Sequence, residues 1–413
     1  MASSYDLCIV GGGILGLATA LKVLEAHPST RLLVLEKESD IARHQTGHNS
    51  GVIHSGLYYK PGSLKAQKCV AGRKALLTFC DRHAVPYEIC GKVVVATAED
   101  ELPRLEELYR RGVANGLQDI EIIGPERLKE LEPHARGIKG LYVPETGIID
   151  YRKVAAAYAK IVRSAGGEIR TSSKVVGIAE RDGETVLQST AGEHHARHLI
   201  NCCGLHSDLI AKLTGASDGD RAVEHRIIPF RGEYYKLAPA KHYLVRNLIY
   251  PVPDPNFPFL GVHFTRMIKG DGGIEAGPNA VLAYAREGYS HTVVDFGDLW
   301  NTVAFRGFWA MARKYWRTGF GEFYRSLSKA AFVKALQKLL PEITESDLVP
   351  GGSGVRAQAV SMTGALVDDF VIQQSRRAIH VLNAPSPGAT ASLAIGASIA
   401  EMAARSFELP TRG

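Results

Sequence analysis

The sequence predicts an α/β chain in which a Rossmann-like nucleotide-binding domain is interleaved with an α+β domain built on an antiparallel sheet. Three observations carry this. Residues 5–36 read as strand, glycine turn, helix, strand and acid. A second buried strand, 198–203, leaves through Gly204 into a helix. From residue 227 the texture changes to short strands rich in aromatics and proline.

The opening unit is the most informative. Residues 5–10 are apolar and short enough for a buried strand, and 17–24 have helical composition and spacing. Gly11, Gly13 and Gly16 between them fit G-x-G-x-x-G. Gly11 allows the tight turn, Gly13 lets backbone approach a pyrophosphate, and Gly16 lets helix and strand pack closely. Unpaired amides at the helix start, with Ile14 and Leu15 among its first residues, face the phosphates. The second strand, 32–35, ends in Glu36, twenty residues past Gly16, where a carboxylate can accept from ribose hydroxyls. The motif alone does not separate FAD from NAD.

The remaining elements follow in order. Helices are expected over 61–80, 99–115, 125–131, 151–165 and 393–405, and strands over 92–96, 140–143 and 174–178, with a hairpin over 186–197. The expected nucleotide-binding segments are 1–88, 140–225 and 346–413. The expected substrate-domain segments are 89–139 and 226–345.

Composition bounds the function classes. The 413 residues are 45% hydrophobic and 22% charged, which supplies two or three domains' worth of globular core. The formal charge of +6 is mild, and no Lys/Arg run is long enough to argue for nucleic acid. Six cysteines without a C-x-x-C pair read as buried thiols in a reducing compartment. The first strand begins by residue 5, which leaves no room for a signal peptide, and no run of about eighteen apolar residues reads as a spanning helix. The expected location is therefore the cytoplasmic side. Residues 305–325 mix Phe305, Phe308, Trp309, Trp316, Phe320, Phe323 and Tyr324 with five arginines and lysines. That mixture suits a membrane interface, and the competing reading is a helix packed on the body or a subunit contact.

Residues 43–56 form a loop dense in glycine, histidine and small hydroxyls, which suits close contact with a ligand. G-G-G-I-L-G-L, then L-E-K, then Q-T-G-H-N-S-G-V-I-H-S-G-L-Y-Y resembles the FAD-dependent D-amino-acid oxidase superfamily. Within it, residues 45–59 resemble the L-2-hydroxyglutarate dehydrogenase/oxidase family closely. The resemblance extends over nearly the whole chain and implies a glutathione-reductase type 2 FAD-binding domain. It implies FAD contacts from Lys37, Thr46, Asn49, Ser50, Gly51, Val52 and His54, and a backbone contact to adenine from Val175, with Val176 the alternative. On the flavin side it implies Cys203, Gly204, Gly354 and the turn Gly388, Ala389 and Thr390, whose helix start favours an anion.

The implied reaction is hydride transfer from the α carbon of L-2-hydroxyglutarate to flavin, giving 2-oxoglutarate, with electrons passed to a quinone or another acceptor. Arginine forks suit the carboxylates of a small dicarboxylate substrate, with Arg356 the first candidate and Arg231 the second. A base that titrates near neutrality favours histidine, and His54 and His263 are the candidates, the latter with Thr265 beside it on the presumed substrate sheet. No metal site is expected. The rivals are an amino-acid or amine oxidase on the same fold, and a nucleotide-binding regulatory or RNA-modifying module.

Overall fold

The computed structural model describes residues 4–215, 224–254, 260–270 and 272–410. Parts of the expected domain segments, at 1–3, 216–223, 255–259, 271 and 411–413, lie outside the described residues.

The opening residues fold as the glycine pattern requires. Tyr5–Val10 is a fully buried strand, Gly13 leads into the helix Ile14–Ala26, and Leu32–Leu35 returns parallel to the first strand. Gly192–Asn201 pairs parallel on the other side, followed by Ala378–Asn383, while Glu168–Arg170 pairs beyond Leu32–Leu35. Apolar runs with no polar alternation mark strands buried on both faces. The helices Ile14–Ala26, Leu64–His83, Tyr151–Ser164 and Ser392–Phe407 cover one face, with Leu17, Leu21, Leu76, Val154, Tyr158 and Ile399 at its centre. The hairpin strands Val175–Arg181 and Glu184–Ser189 contribute Val175 and Leu187 to the other face, with Ile210.

The second sheet is mixed and mostly antiparallel. Its order runs Val281–Leu282, His225–Leu237, Gly273–Gly277, His263–Met267, Leu248–Pro251, Lys92–Ala96, Lys139–Val143 and Glu121–Ile123. Only Leu248–Pro251 and Lys92–Ala96 run parallel among these described strands. Alternation decides the faces. Val93, Val95, Ile249 and Phe264 pack under the helix Lys329–Leu336. Val94, Ala96, Leu248 and Tyr250 face the other way, with Leu105 and Leu108 of the helix Leu102–Ala114.

Two segments depart from the expected division. Lys139–Val143, which the expected boundary at 140 cuts, pairs along its length with Lys92–Ala96 in the second sheet. Leu348–Ser361, expected in the nucleotide-binding part, lies antiparallel to His225–Leu237 from Leu237↔Leu348 to His225↔Ser361. The chain returns to the first sheet only with Val371–Gln374 and Ala378–Asn383. Lys139–Val143 carries strand-like apolar character and Leu348–Ser361 is glycine-rich, and nothing local in either selects one sheet over the other.

Candidate active site

The two sheets meet around one continuous cavity of about 1680 Å³. Small-molecule sites run to roughly 300–1,000 Å³, so this volume leaves room for a dinucleotide and a small ligand together. One half is built mostly from backbone. Gly11 has φ +112°, and a Cβ there would lie 2.5 Å from the Cys202 carbonyl oxygen, so only glycine fits. A Cβ on Gly16 would collide with the Gly11 carbonyl. At Gly13 the nearest obstacle to a Cβ is Thr46 Oγ1 at 3.5 Å, which leaves that backbone open to the cavity. Gly13 caps its helix without a side-chain bond, and the Ile14 amide donates to Thr46 Oγ1 at 3.0 Å.

Glu36 is buried and accepts from the amides of Gly12 (2.7 Å) and Glu38 (2.9 Å). Its carboxylate is therefore held at the cavity wall, with lone pairs left for hydroxyl donors. Beside it stands an ion network. Lys37 Nζ lies 2.6 Å from both Glu38 and Glu287, His44 Nε2 lies 2.8 Å from Glu38, and His206 Nε2 lies 2.9 Å from Glu287. Burial raises the Glu287 carboxyl, but hydrogen bonds from His206 and Lys37 outweigh it and hold the group down to about 2. Glu38, His44 and Glu287 have metal-ligand spacing, yet Lys37 already supplies the cation between the two carboxylates.

The flavin-loop residues and the last turn are tied together. The His54 amide donates to Thr390 Oγ1 (3.2 Å), and Tyr151 Oη lies 2.8 Å from the same oxygen while donating to the Val52 carbonyl (2.9 Å). Asn49 Nδ2 donates to the carbonyls of Gln45 and Thr46, and its Oδ1 accepts from the Gly51 amide. Cys203 and Gly204 (φ +51°) enter the cavity from the end of the strand Gly192–Asn201.

The other half is built from side chains. His263 is buried and lines the cavity. Its Nδ1 lies 2.8 Å from the Gly261 carbonyl, which can only accept, so Nδ1 carries the proton and Nε2 is left bare in the neutral ring. The ring stacks on Tyr250 at 3.9 Å, and the Tyr250 hydroxyl bonds Thr265. His54 Nε2 lies 3.2 Å from Ser386 Oγ. Burial, aided by nearby positive charge, pulls both histidines down to about 3. Arg356 is half-buried, lines the cavity, and is among the charges that act on His263.

Of the site residues expected from the sequence, Gly11, Gly13, Ile14, Leu15, Glu36, Lys37, Thr46, Asn49, Ser50, Val52, His54, Val175, Cys203, Gly204, His263, Gly354, Arg356, Gly388, Ala389 and Thr390 share this cavity. Gly16, Gly51, Thr265 and Arg231 do not line it. Gly16 and Gly51 act through chain packing, the latter with φ +64° and its carbonyl accepting from Ile149. Thr265 stands behind Tyr250. Arg231 is a correction. It alternates with Gly232 and Tyr234, which face the cavity, so its own side chain leaves from the opposite side of the strand. There it is saturated by Glu233 (2.8 Å), the Ser290 carbonyl (3.0 Å) and His291 (2.7 Å). Glu233 in turn accepts from Ser326 Oγ at 2.6 Å, which pins the helix Arg306–Leu327 to the sheet.

Sequence reasoning missed Tyr58, Lys65, Tyr234, Tyr250 and Glu287, all in the cavity wall. Nothing in the local sequence marks any of them as facing a cavity.

A glycine cradle that opens into a chamber with a bare imidazole nitrogen and an arginine defines a dinucleotide-dependent redox enzyme. The residues fit FAD: the Gly13 cradle is open, Glu36 is placed for ribose, and the last turn closes on the loop that carries His54. A profile of the FAD dependent oxidoreductase (DAO) family matches residues 6–402. The chain is 51% identical over 403 residues to the L-2-hydroxyglutarate dehydrogenase of Indibacter alkaliphilus, covering 98% of this chain and 100% of that one. It is 46% identical to the mitochondrial L-2-hydroxyglutarate dehydrogenase of Homo sapiens, covering 98% and 90%. The fold is similar to that of L-α-glycerophosphate oxidase from Mycoplasma pneumoniae, solved with FAD bound (TM-score 0.79, 22% identity, 99% and 97% covered). Glycine oxidase from Geobacillus kaustophilus is also similar (TM-score 0.69, 16% identity, 99% and 96% covered). The chain belongs to the FAD-dependent oxidoreductase family, and within it to the L-2-hydroxyglutarate dehydrogenases.

Proposed function

We propose that this protein oxidises L-2-hydroxyglutarate to 2-oxoglutarate. The observation that carries the reading is His263 with Nε2 bare in the same cavity wall as Arg356, in a chain 51% identical to an L-2-hydroxyglutarate dehydrogenase. The Gly11–Gly16 turn, Glu36 and the turn that ends in Thr390 would hold FAD, which would supply the hydride acceptor for the substrate's C2. Arg356 binds a substrate carboxylate through its fork. His263 Nε2 takes the hydroxyl proton, with the ring fixed by Gly261 on one edge and Tyr250 on one face. Anaerobic addition of L-2-hydroxyglutarate to the holoenzyme should bleach the flavin absorbance. Bleaching by an amino acid instead would establish the amine-oxidase alternative.

The electrons leave to a quinone in this reading, with the helix Arg306–Leu327 lying on an anionic membrane surface. What supports it is an exposed aromatic face: Trp309 is 60% exposed, Phe320 71%, Tyr324 65% and the neighbouring Phe296 83%. Arg306, Arg313, Lys314 and Arg317 are exposed on the same helix. Among the described residues no helix is long and apolar enough to cross a membrane. Co-sedimentation with vesicles of anionic lipid, lost in a Trp309→Ser/Trp316→Ser/Phe320→Ser variant, tests this part. Equal sedimentation of both proteins refutes it.

A further inference from the structure

Lys92 is an anomaly in the second sheet. It opens the strand Lys92–Ala96 and is only 1% exposed. Alternation puts it on the face of Val94, which is also the face of Tyr250 and the side toward the cavity. Its ammonium lies 4.5 Å from the ring centre of Tyr58 and 5.2 Å from that of Tyr250. Both rings line the cavity, and Tyr250 is the ring on which His263 stacks. No carboxylate pairs with Lys92 among the described residues. The neighbouring Cys69 cannot serve as a counter-ion, because burial pushes its thiol up to about 12 and keeps it protonated. The Tyr58 hydroxyl, in the same wall, is buried without a hydrogen-bond partner.

A buried ammonium with no counter-ion is costly, and two aromatic faces offset only part of that cost. What is missing is an anion, and the cavity in front of it is the site of a dicarboxylate in the functional reading above, on which this inference rests. We propose that Lys92 is the buried counter-charge of the substrate site. From behind Tyr58 and Tyr250 it strengthens binding of a dianionic ligand. It is a positioning residue, since its ammonium acts through the two rings. Two further observations agree. Burial lowers both His54 and His263, and the charge of Lys92 adds to it, which puts Lys92 within electrostatic reach of both rings. Burial pulls Lys92 itself down to about 7, so an arriving anion would draw a proton onto it.

The groups that face Lys92 and its two rings are His54, His263, Cys69, Cys90, Tyr234, Lys65 and Arg356. The histidines stay neutral above pH 5, Lys65 is paired with Asp368, the guanidinium of Arg356 keeps its charge, and burial keeps the Cys69 and Cys90 thiols and the Tyr234 phenol protonated. Proton uptake on anion binding near pH 8 therefore belongs to Lys92.

The test is calorimetric titration of the holoenzyme with 2-oxoglutarate and with its uncharged dimethyl ester. Lys92→Met should weaken 2-oxoglutarate by about tenfold or more and leave the ester unchanged, while Lys92→Arg restores the dianion. Equal weakening of both ligands, or of neither, overturns the proposal. Should Lys92→Met fail to fold, the wild type decides. Titration at pH 8 in buffers of different ionisation enthalpy should show proton uptake, and none overturns the proposal. Flavin bleaching of the wild type by L-2-hydroxyglutarate tests the functional reading on its own. A wild type that bleaches, beside a Lys92→Met variant with full dianion affinity, sinks the role of Lys92 alone.

Discussion

The two halves of the cavity are built from different materials. Around Gly11, Gly13 and Gly204 the wall is largely main chain, and side chains are excluded because a Cβ at Gly11 has nowhere to go. Around His263, Arg356 and Tyr250 the wall is side chain, placed by strand alternation and ring stacking. Main-chain walls tolerate sequence drift everywhere except at the glycines. Side-chain walls tolerate none at the reacting groups but allow the strands beneath to vary. Damage to the first half should therefore remove the cofactor, and damage to the second should leave the cofactor bound and remove the chemistry.

The largest contrast is Gly16→Val. It drives a side chain into the Gly11 carbonyl and should yield protein without flavin absorbance. A yellow variant would break the division of labour. His263→Asn should keep the flavin and lower kcat by about 10²–10⁴-fold, the usual worth of a positioned base. Stopped-flow bleaching checks it, and a normal rate moves the role to His54. Arg356→Ala should keep the flavin and raise KM by about a hundredfold, as expected for loss of a buried charged partner. Steady-state kinetics with L-2-hydroxyglutarate decide.

A milder test uses pH. The imidazoles of His54 and His263 are held down to about 3, so both stay neutral from pH 8 to pH 5. Log kcat/KM should therefore show no acid limb near 6.5. Stability should behave differently. The unfolded histidines take up protons below about 6.5, whereas the folded ones refuse them until about 3. Stability is thus fully present above 6.5 and falls as pH drops toward 3. Thermal melts across that window report it. The smallest effect on function should come from Arg231→Met. It breaks a buried pair and should cost about 3–5 kcal/mol of stability, with KM unchanged because Arg231 lies outside the cavity.

The main-chain half was readable in the sequence because glycines and acid spacing are local signals. Residues 11–16 and Glu36 announce their geometry within one βαβ unit. The side-chain half was readable only in part. Arg231 stands beside Gly232 and Arg356 two residues past Gly354, in strands that pair with one another, and nothing in either stretch states which face looks inward. That fact belongs to the register Phe230↔Arg356 and to the sheet as a whole. Lys92 was hidden for a related reason. At the head of an apolar strand a lysine reads as a polar end, until the neighbouring strand brings Tyr250 over it.

The staple between the His54 amide and Thr390 spans 336 residues. A ribosome that has released the opening βαβ unit has made half a pocket with no partner for its loop. The strand Ala378–Asn383 and the helix Ser392–Phe407, which complete the first sheet and one face of its core, emerge long after that unit. The pocket wall on both sides of that hydrogen bond therefore needs both ends of this fold, and a nascent chain stalled before residue 378 lacks one of them.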